Sequence, residues 1–76
     1  MDRESINGII LSYKNTLEMY QASLLSYGQF EDNIMCLYGY VMEEFDTIES
    51  FREYGISINK EVDELCSLFI TLMDED

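Results

Sequence analysis

The apolar residues of this chain recur at intervals of three and four, the spacing that keeps side chains on one face of an α-helix. The first run predicts a helix over about residues 3–27, with Asp2 or Ser5 as its N-cap. Gly28 follows and is suited to end it in the left-handed conformation. The predicted apolar face consists of Ile6, Ile9, Ile10, Tyr13, Leu17, Tyr20, Leu24 and Tyr27.

Two further runs follow the same spacing. One predicts a helix over about 30–54, with Phe30, Ile34, Leu37, Tyr38, Val41, Phe45 and Ile48 on its apolar face. Gly55 is placed to end it, with Ile56 folding back on Phe51. The other predicts a helix over about 58–73, with Ile58, Val62, Leu65, Phe69 and Leu72 on its face. Acidic residues 74–76 oppose the helix dipole there, so we expect that end to fray.

The predicted connections are only a few residues long, which makes consecutive helices antiparallel neighbours. The fold class expected is therefore all-α, as a small antiparallel three-helix bundle with up-down-up topology. Its 76 residues form at most one domain, spanning 1–76. The alternative is a long hairpin whose third helix packs on another copy of the chain.

The net charge of the chain limits the kinds of partner that it can bind. Sixteen acidic residues against four basic ones give a formal net charge of −12. This charge opposes direct binding to nucleic acid or to an anionic membrane, and it attracts a partner protein with a basic surface. No apolar run is long enough to span a bilayer, and the first residues do not resemble a signal peptide, so we expect a cytoplasmic protein. The simpler interpretation is that the charge only confers solubility.

Catalytic, metal and cofactor sites have little support in the residues present. The chain contains no histidine, which removes Cys-His and Ser-His nucleophiles. Cys36 and Cys66 are expected to lie roughly 16 Å apart along neighbouring helices, too far for a disulfide, and two thiols do not complete a conventional zinc site. No calcium-loop or phosphate-binding glycine pattern is present. We expect no enzyme activity, no metal and no cofactor.

Carboxylates step along the second predicted helix on the side away from its apolar face. Glu43, Asp46, Glu49 and Glu53 form this stripe, and Glu61 and Glu64 of the third helix would extend it. A rigid row of carboxylates can imitate a phosphate backbone and enter a basic groove. Nearby apolar anchors for a partner would be Met35, Tyr40 and Met42, since methionine and tyrosine suit binding surfaces. The alternative is an ordinary solvated helix face.

The last predicted helix is apolar nearly all the way round. A small bundle has difficulty burying all of its side chains within one chain. The excess predicts an interface, with a second copy or with a partner, formed by Leu68, Phe69, Ile70 and Met73. The alternative is a partly exposed final turn.

Two functional hypotheses follow from these surfaces. The first is a non-catalytic protein-binding module, an inhibitor or adaptor that docks on a basic surface of a partner. That partner would include nucleic-acid-handling proteins if the carboxylates mimic DNA. The second is a structural or chaperone-like module that forms a homodimer, or covers a partner's helix, through its apolar C-terminal helix.

Overall fold

The computed structural model describes residues 1–74, which form four α-helices and no strand. The helices are α1 (Arg3–Gln21), α2 (Tyr27–Glu44), α3 (Ile48–Ile56) and α4 (Val62–Met73). The all-α class is confirmed. The three-helix bundle is not, because the second predicted helix is two helices. Fraying was predicted for residues 74–76. Residues 75 and 76 lie outside the described residues, and Asp74 is the C-cap of α4.

α1 begins as expected but ends well before its predicted boundary. The Asp2 carboxylate accepts the N–H of Ser5 at 2.8 Å and caps the first turn. At the other end Ser23 takes a left-handed φ of 63°. The N–H groups of Ser23 and Leu24 donate to carbonyls of the last turn at 3.0 and 2.8 Å, which is a Schellman motif. Serine fills the position that glycine usually occupies, so the sequence carried no obvious stop signal.

α2 begins with a capping box, which corrects the role predicted for Gly28. The Ser26 hydroxyl accepts the N–H of Gln29 at 3.2 Å, and the Gln29 side chain accepts the N–H of Ser26 at 2.9 Å. Gly28 therefore lies in the first turn of α2 and does not end α1. Its backbone has no positive φ, the conformation for which glycine was expected.

The predicted helix over 30–54 is interrupted at residues 45–47. Phe45 is extended, with φ −127° and ψ 141°. The Thr47 hydroxyl accepts the N–H of Ser50 at 3.0 Å and caps α3. The Phe45 ring lies 5.5 Å from that of Phe51 and 5.6 Å from that of Tyr54, centroid to centroid. The interruption is thus stabilised on both sides, by a cap and by ring packing.

Gly55 was predicted to end a helix, and the structure gives it a different role. It is buried inside α3, where a Cβ would lie 3.0 Å from both γ-carbons of Val62. The glycine therefore permits close contact between α3 and α4. α3 ends at Ile56 with Ser57 as C-cap in a right-handed conformation, so the predicted left-handed cap is not formed.

α4 packs against all three other helices and supplies much of the core. The chain forms two helical hairpins, α1–α2 and α3–α4, and α4 of the second hairpin packs on both helices of the first. Tyr38 of α2 meets Phe69 of α4 edge to face at 5.4 Å, and Tyr20 of α1 stacks on Phe30 of α2 at 4.6 Å. The buried apolar residues are Ile6, Ile9, Ile10, Tyr13, Phe30, Ile34, Val41, Phe51, Val62, Leu65, Cys66, Phe69 and Leu72.

Replacing Gly55 with alanine should destabilise the fold. The added methyl would press on both γ-carbons of Val62, which is β-branched and fully buried, so overpacking should cost about 1–3 kcal/mol. The matched control is Gly39→Ala in α2, where no described atom lies within 4 Å of the new Cβ. That change should stabilise the helix by up to about 1 kcal/mol. Urea unfolding of both variants measures the difference, and equal stabilisation by the two alanines would contradict the α3–α4 contact.

Candidate docking surface at the α2–α3 junction

Acidic side chains concentrate where α2 gives way to α3. Glu43 and Glu44 end α2, Asp46 lies in the connection, and Glu49 occupies the first turn of α3. All four are exposed, and we call this group the acidic junction. The chain contains no lysine or arginine between Lys14 and Arg52, and Arg52, which follows Glu49 on α3, is paired with Asp63 of α4.

The helix dipoles favour carboxylates on the α3 side of the junction and disfavour them on the α2 side. Glu49 faces the positive N-terminal end of α3, where a carboxylate is favoured. Glu43 and Glu44 stand at the negative C-terminal end of α2, where carboxylates are unfavourable, and no basic residue occupies that last turn. The N-terminal ammonium of Met1 lies 3.7 Å from the Glu44 carboxylate and offsets part of this charge, whereas Glu43 has no basic residue in its own helical turn.

An open groove of about 430 Å³ adjoins the acidic junction. It lies between the end of α2, the start of α3 and the later part of α4. Its floor is mostly apolar and its rim carries two carboxylates. The lining residues are Tyr38, Met42, Asp46, Thr47, Ile48, Glu49 and Ile70. We call it the junction groove.

The structure brings together residues from both predicted surfaces in this groove. Met42, Asp46 and Glu49 come from the predicted acidic docking face, and Ile70 comes from the predicted apolar interface. Ile70 is 51% exposed although it belongs to the most buried helix. One surface therefore combines the charged and the apolar features that the sequence had assigned to separate functions.

The predicted stripe of six carboxylates does not form one row. The interruption at residues 45–47 divides Glu43 from Glu49 and Glu53, so the premise of a single rigid helix is wrong. Glu61 instead accepts a charged hydrogen bond from Lys14 of α1 at 2.9 Å, and Glu64 accepts one from the Tyr13 hydroxyl at 3.3 Å. Both belong to the contact between α1 and the start of α4.

These contacts raise the pKa values of the Lys14 and Tyr13 side chains. The hydrogen bond and charge of Glu61 raise the pKa of Lys14. Burial, followed by the nearby charge of Glu64, raises the pKa of the Tyr13 hydroxyl. Arg52 of α3 similarly contacts Asp63 of α4 at 2.6 Å, which raises the pKa of its guanidinium. Two of the four basic side chains are thus engaged in ion pairs within the chain.

The remaining predicted anchors are dispersed. Tyr40 is half-exposed and lines a separate depression between α1 and α2, together with Leu37 and Ile9. Met35 is partly buried and packs against the core. Neither residue lines the junction groove, so Met42 is the one predicted anchor that lies beside the acidic rim.

The predicted apolar interface on α4 is smaller than expected. Phe69 is completely buried in the chain's own core, and Leu68 is partly buried against it. The four-helix arrangement encloses α4 on more sides than a three-helix bundle would, so these two residues are already covered. Ile70 and Met73 remain exposed, at 51% and 43%.

Three groove residues were not singled out from the sequence. Tyr38 and Ile48 were assigned to a core face, and Thr47 had no assigned role. Tyr38 and Ile48 are partly buried against the core, as assigned, and they also line the groove beside the interruption between α2 and α3. A threonine followed by the first turn of a helix is an N-cap signal, and Thr47 carried it within an otherwise continuous helical pattern.

Both cysteines are free thiols, in keeping with the distance argument from sequence. Cys36 is exposed, whereas Cys66 is buried in α4. Burial raises the pKa of Cys66 to about 11, because the charged thiolate is poorly solvated there.

Comparisons with known proteins identify no relative: no protein-family model, no curated protein and no solved structure matches this chain. Within residues 1–74 no group of three or more cysteine or carboxylate side chains is arranged to hold a metal ion. None of the four helices in that range has the length and apolar character needed to cross a membrane. A function for the chain must therefore be inferred from its own charges and surfaces.

The two thiols should react at very different rates in the native protein. At pH 8 a thiol with a pKa of about 11 is ionised to on the order of one part in a thousand, and Cys66 is also shielded from solvent. Iodoacetamide should therefore modify Cys36 and leave Cys66 intact until urea unfolds the chain, as followed by mass spectrometry. A Cys36→Ser variant isolates the buried thiol. Native modification of Cys66 as fast as that of Cys36 would contradict the packing of α4.

Proposed function

We propose that this protein is a non-catalytic binding module, an inhibitor or adaptor that docks on a basic surface of a partner protein through its acidic junction. The observation that carries the proposal is the exposed group Glu43, Glu44, Asp46 and Glu49, which stands beside an apolar groove whose described lining residues include no basic side chain. A surface of this kind is electrostatically complementary to lysine and arginine side chains.

The distribution of basic residues supports this proposal. Lys14 and Arg52 are paired with Glu61 and Asp63, and neither is a lining residue of the junction groove. The negative field of the whole chain, with a formal charge of −12, would also accelerate encounter with a basic partner. At the end of α2, a partner's cation would offset the unfavourable placement of Glu43, since Glu44 is already paired with the N-terminal ammonium of Met1.

Nucleic-acid mimicry is a narrower form of the proposal. It was based on a continuous row of carboxylates on one rigid helix, and that row is divided in the structure. The acidic junction remains compatible with any partner that presents clustered basic side chains, including a nucleic-acid-handling protein. We therefore propose a basic protein surface as the partner and leave mimicry as a special case of it.

A structural or chaperone-like module is the second candidate. The observation that favours it is the exposure of Ile70 and Met73 on α4, whose other apolar residues are buried or partly buried. A homodimer, or a partner helix that covers these two side chains, would remove them from water. In this second case the negative charge only keeps the protein in solution. Association through Ile70 and Met73 should then not depend on the salt concentration.

Reversing the charge of the junction tests the leading proposal. A variant with Asp46→Lys and Glu49→Lys should lose a partner captured from host lysate, because complementary charges become repulsive ones. Capture by the native chain should also weaken steeply as salt rises above about 0.15 M, where the Debye length is about 8 Å. Quantitative mass spectrometry of the captured proteins at each salt concentration measures both effects.

The matched control is Glu18→Lys with Asp32→Lys, which changes the net charge equally at exposed sites outside the groove. It should retain the partner, because the proposal depends on local charge placement. Equal loss of the partner in both variants would show that binding depends on the net charge of the chain and not on the position of the carboxylates. Equal retention in both would contradict docking through the acidic junction.

A further inference from the structure

The junction groove has a floor that charge alone does not explain. A surface that only solvates carboxylates, or that imitates phosphates, has no need of exposed apolar side chains between its charges. Here Ile70 is half-exposed to water, and Tyr38, Met42 and Ile48, which are partly buried against the core, complete the apolar lining. Apolar surface left open beside charged groups is typical of a site that a partner covers.

The carboxylates lie on one side of that floor. Asp46 and Glu49 both belong to the α2–α3 junction, whereas Ile70 belongs to α4 on the opposite side. No basic residue is among the described residues that line the groove. An occupant that fits must therefore present an apolar strip with basic groups along one flank.

An amphipathic α-helix has this distribution. Its residues at i, i+3, i+4 and i+7 form an apolar strip, and lysine or arginine on a neighbouring face lies beside it. Grooves between helices also accept the side-chain ridges of another helix. Met42 adds an adaptable, unbranched side chain at the floor, which suits contact with an inserted apolar residue.

We infer that the junction groove binds a basic amphipathic helix of the partner, with apolar residues between Met42 and Ile70 and basic residues against Asp46 and Glu49. This inference rests on the proposed function and specifies the segment of the partner that is bound. Glu43 adds to it as an exposed carboxylate at the negative end of α2, whereas Glu44 is already paired with the N-terminal ammonium of Met1.

Three synthetic peptides of about sixteen residues, long enough to form a marginal helix, provide the probes. The first has a leucine strip with flanking lysines. The second has the same composition in an order that destroys the strip. The third keeps the strip but replaces lysine with glutamine. Each is titrated into the full-length isotope-labelled chain, and amide shifts are mapped on the structure.

The first peptide should bind with shifts centred on Tyr38, Met42, Ile48 and Ile70, and the other two should bind at least about tenfold more weakly. Ile70→Glu should weaken the first peptide by about tenfold or more, since a charge would enter the apolar floor. Leu11→Glu is the matched control, because Leu11 is 60% exposed on α1 and does not line the groove. It should leave the affinity unchanged.

The contrary outcomes separate this inference from the function on which it rests. Equal binding of the first and second peptides would overturn the helix site while leaving charge-driven docking in place. Equal binding of the first and third would remove the role of the carboxylates in the groove. Failure of the first peptide to shift groove residues would overturn the inference, and the lysate capture with charge-reversal variants would still decide the proposed function.

A second copy of the chain is the competing occupant. Sedimentation of the protein alone at high concentration tests it directly. The inference expects a monomer that Ile70→Glu does not change. A dimer that Ile70→Glu dissociates would place another copy on Ile70 and would overturn the helix assignment.

Discussion

The interruption of the helical pattern at residues 45–47 is the constraint on which the rest of the structure depends. Thr47 caps α3, and Phe45 leaves the helical path to pack its ring against Phe51 and Tyr54. Without this interruption, α2 and α3 would form one rod longer than the molecule's largest extent of 32 Å. With it, α3 folds back as the partner of α4, and α4 becomes enclosed by the other three helices.

The same interruption creates the candidate functional surface. It places the partly buried Ile48 and Tyr38 along one groove, with Asp46 in the connection beside them. Within residues 1–74 neither Asp46 nor Glu49 forms an ion pair, whereas Asp63 and Glu61 contact basic residues of neighbouring helices. The chain therefore carries two kinds of acidic residue, one that joins helices and one that faces outward at the junction.

The parts of the fold that could be predicted are those with one dominant physical signal. The buried faces of α1 up to Tyr13 and of α4, the Asp2 cap and the free state of the two cysteines follow from periodicity, capping chemistry and helical rise. The helix boundaries could not be predicted as well, because two glycines suggested stops that the structure does not use. Ser23 supplies the left-handed residue that Gly28 was expected to supply, and Gly55 serves close packing against Val62.

The candidate site, too, could be predicted from the sequence only in part. Asp46, Glu49, Met42 and Ile70 were each recognised from the sequence, but as members of two unrelated surfaces. Only the change of direction between α2 and α3 brings them into one groove, and periodicity alone does not reveal a change of direction. Glu61, Glu64 and Phe69 were assigned outward roles because their partners, on α1 and in the core, depend on tertiary packing.

The most direct test of this account is the backbone conformation of residues 43–50, read from NMR secondary chemical shifts and ring contacts of Phe45. The account predicts extended shifts at Phe45, a helix start after Thr47, and nuclear Overhauser contacts from Phe45 to Phe51 and Tyr54. Uninterrupted helical shifts through this segment would contradict it. α2 and α3 would then be one helix, and the junction groove would not exist.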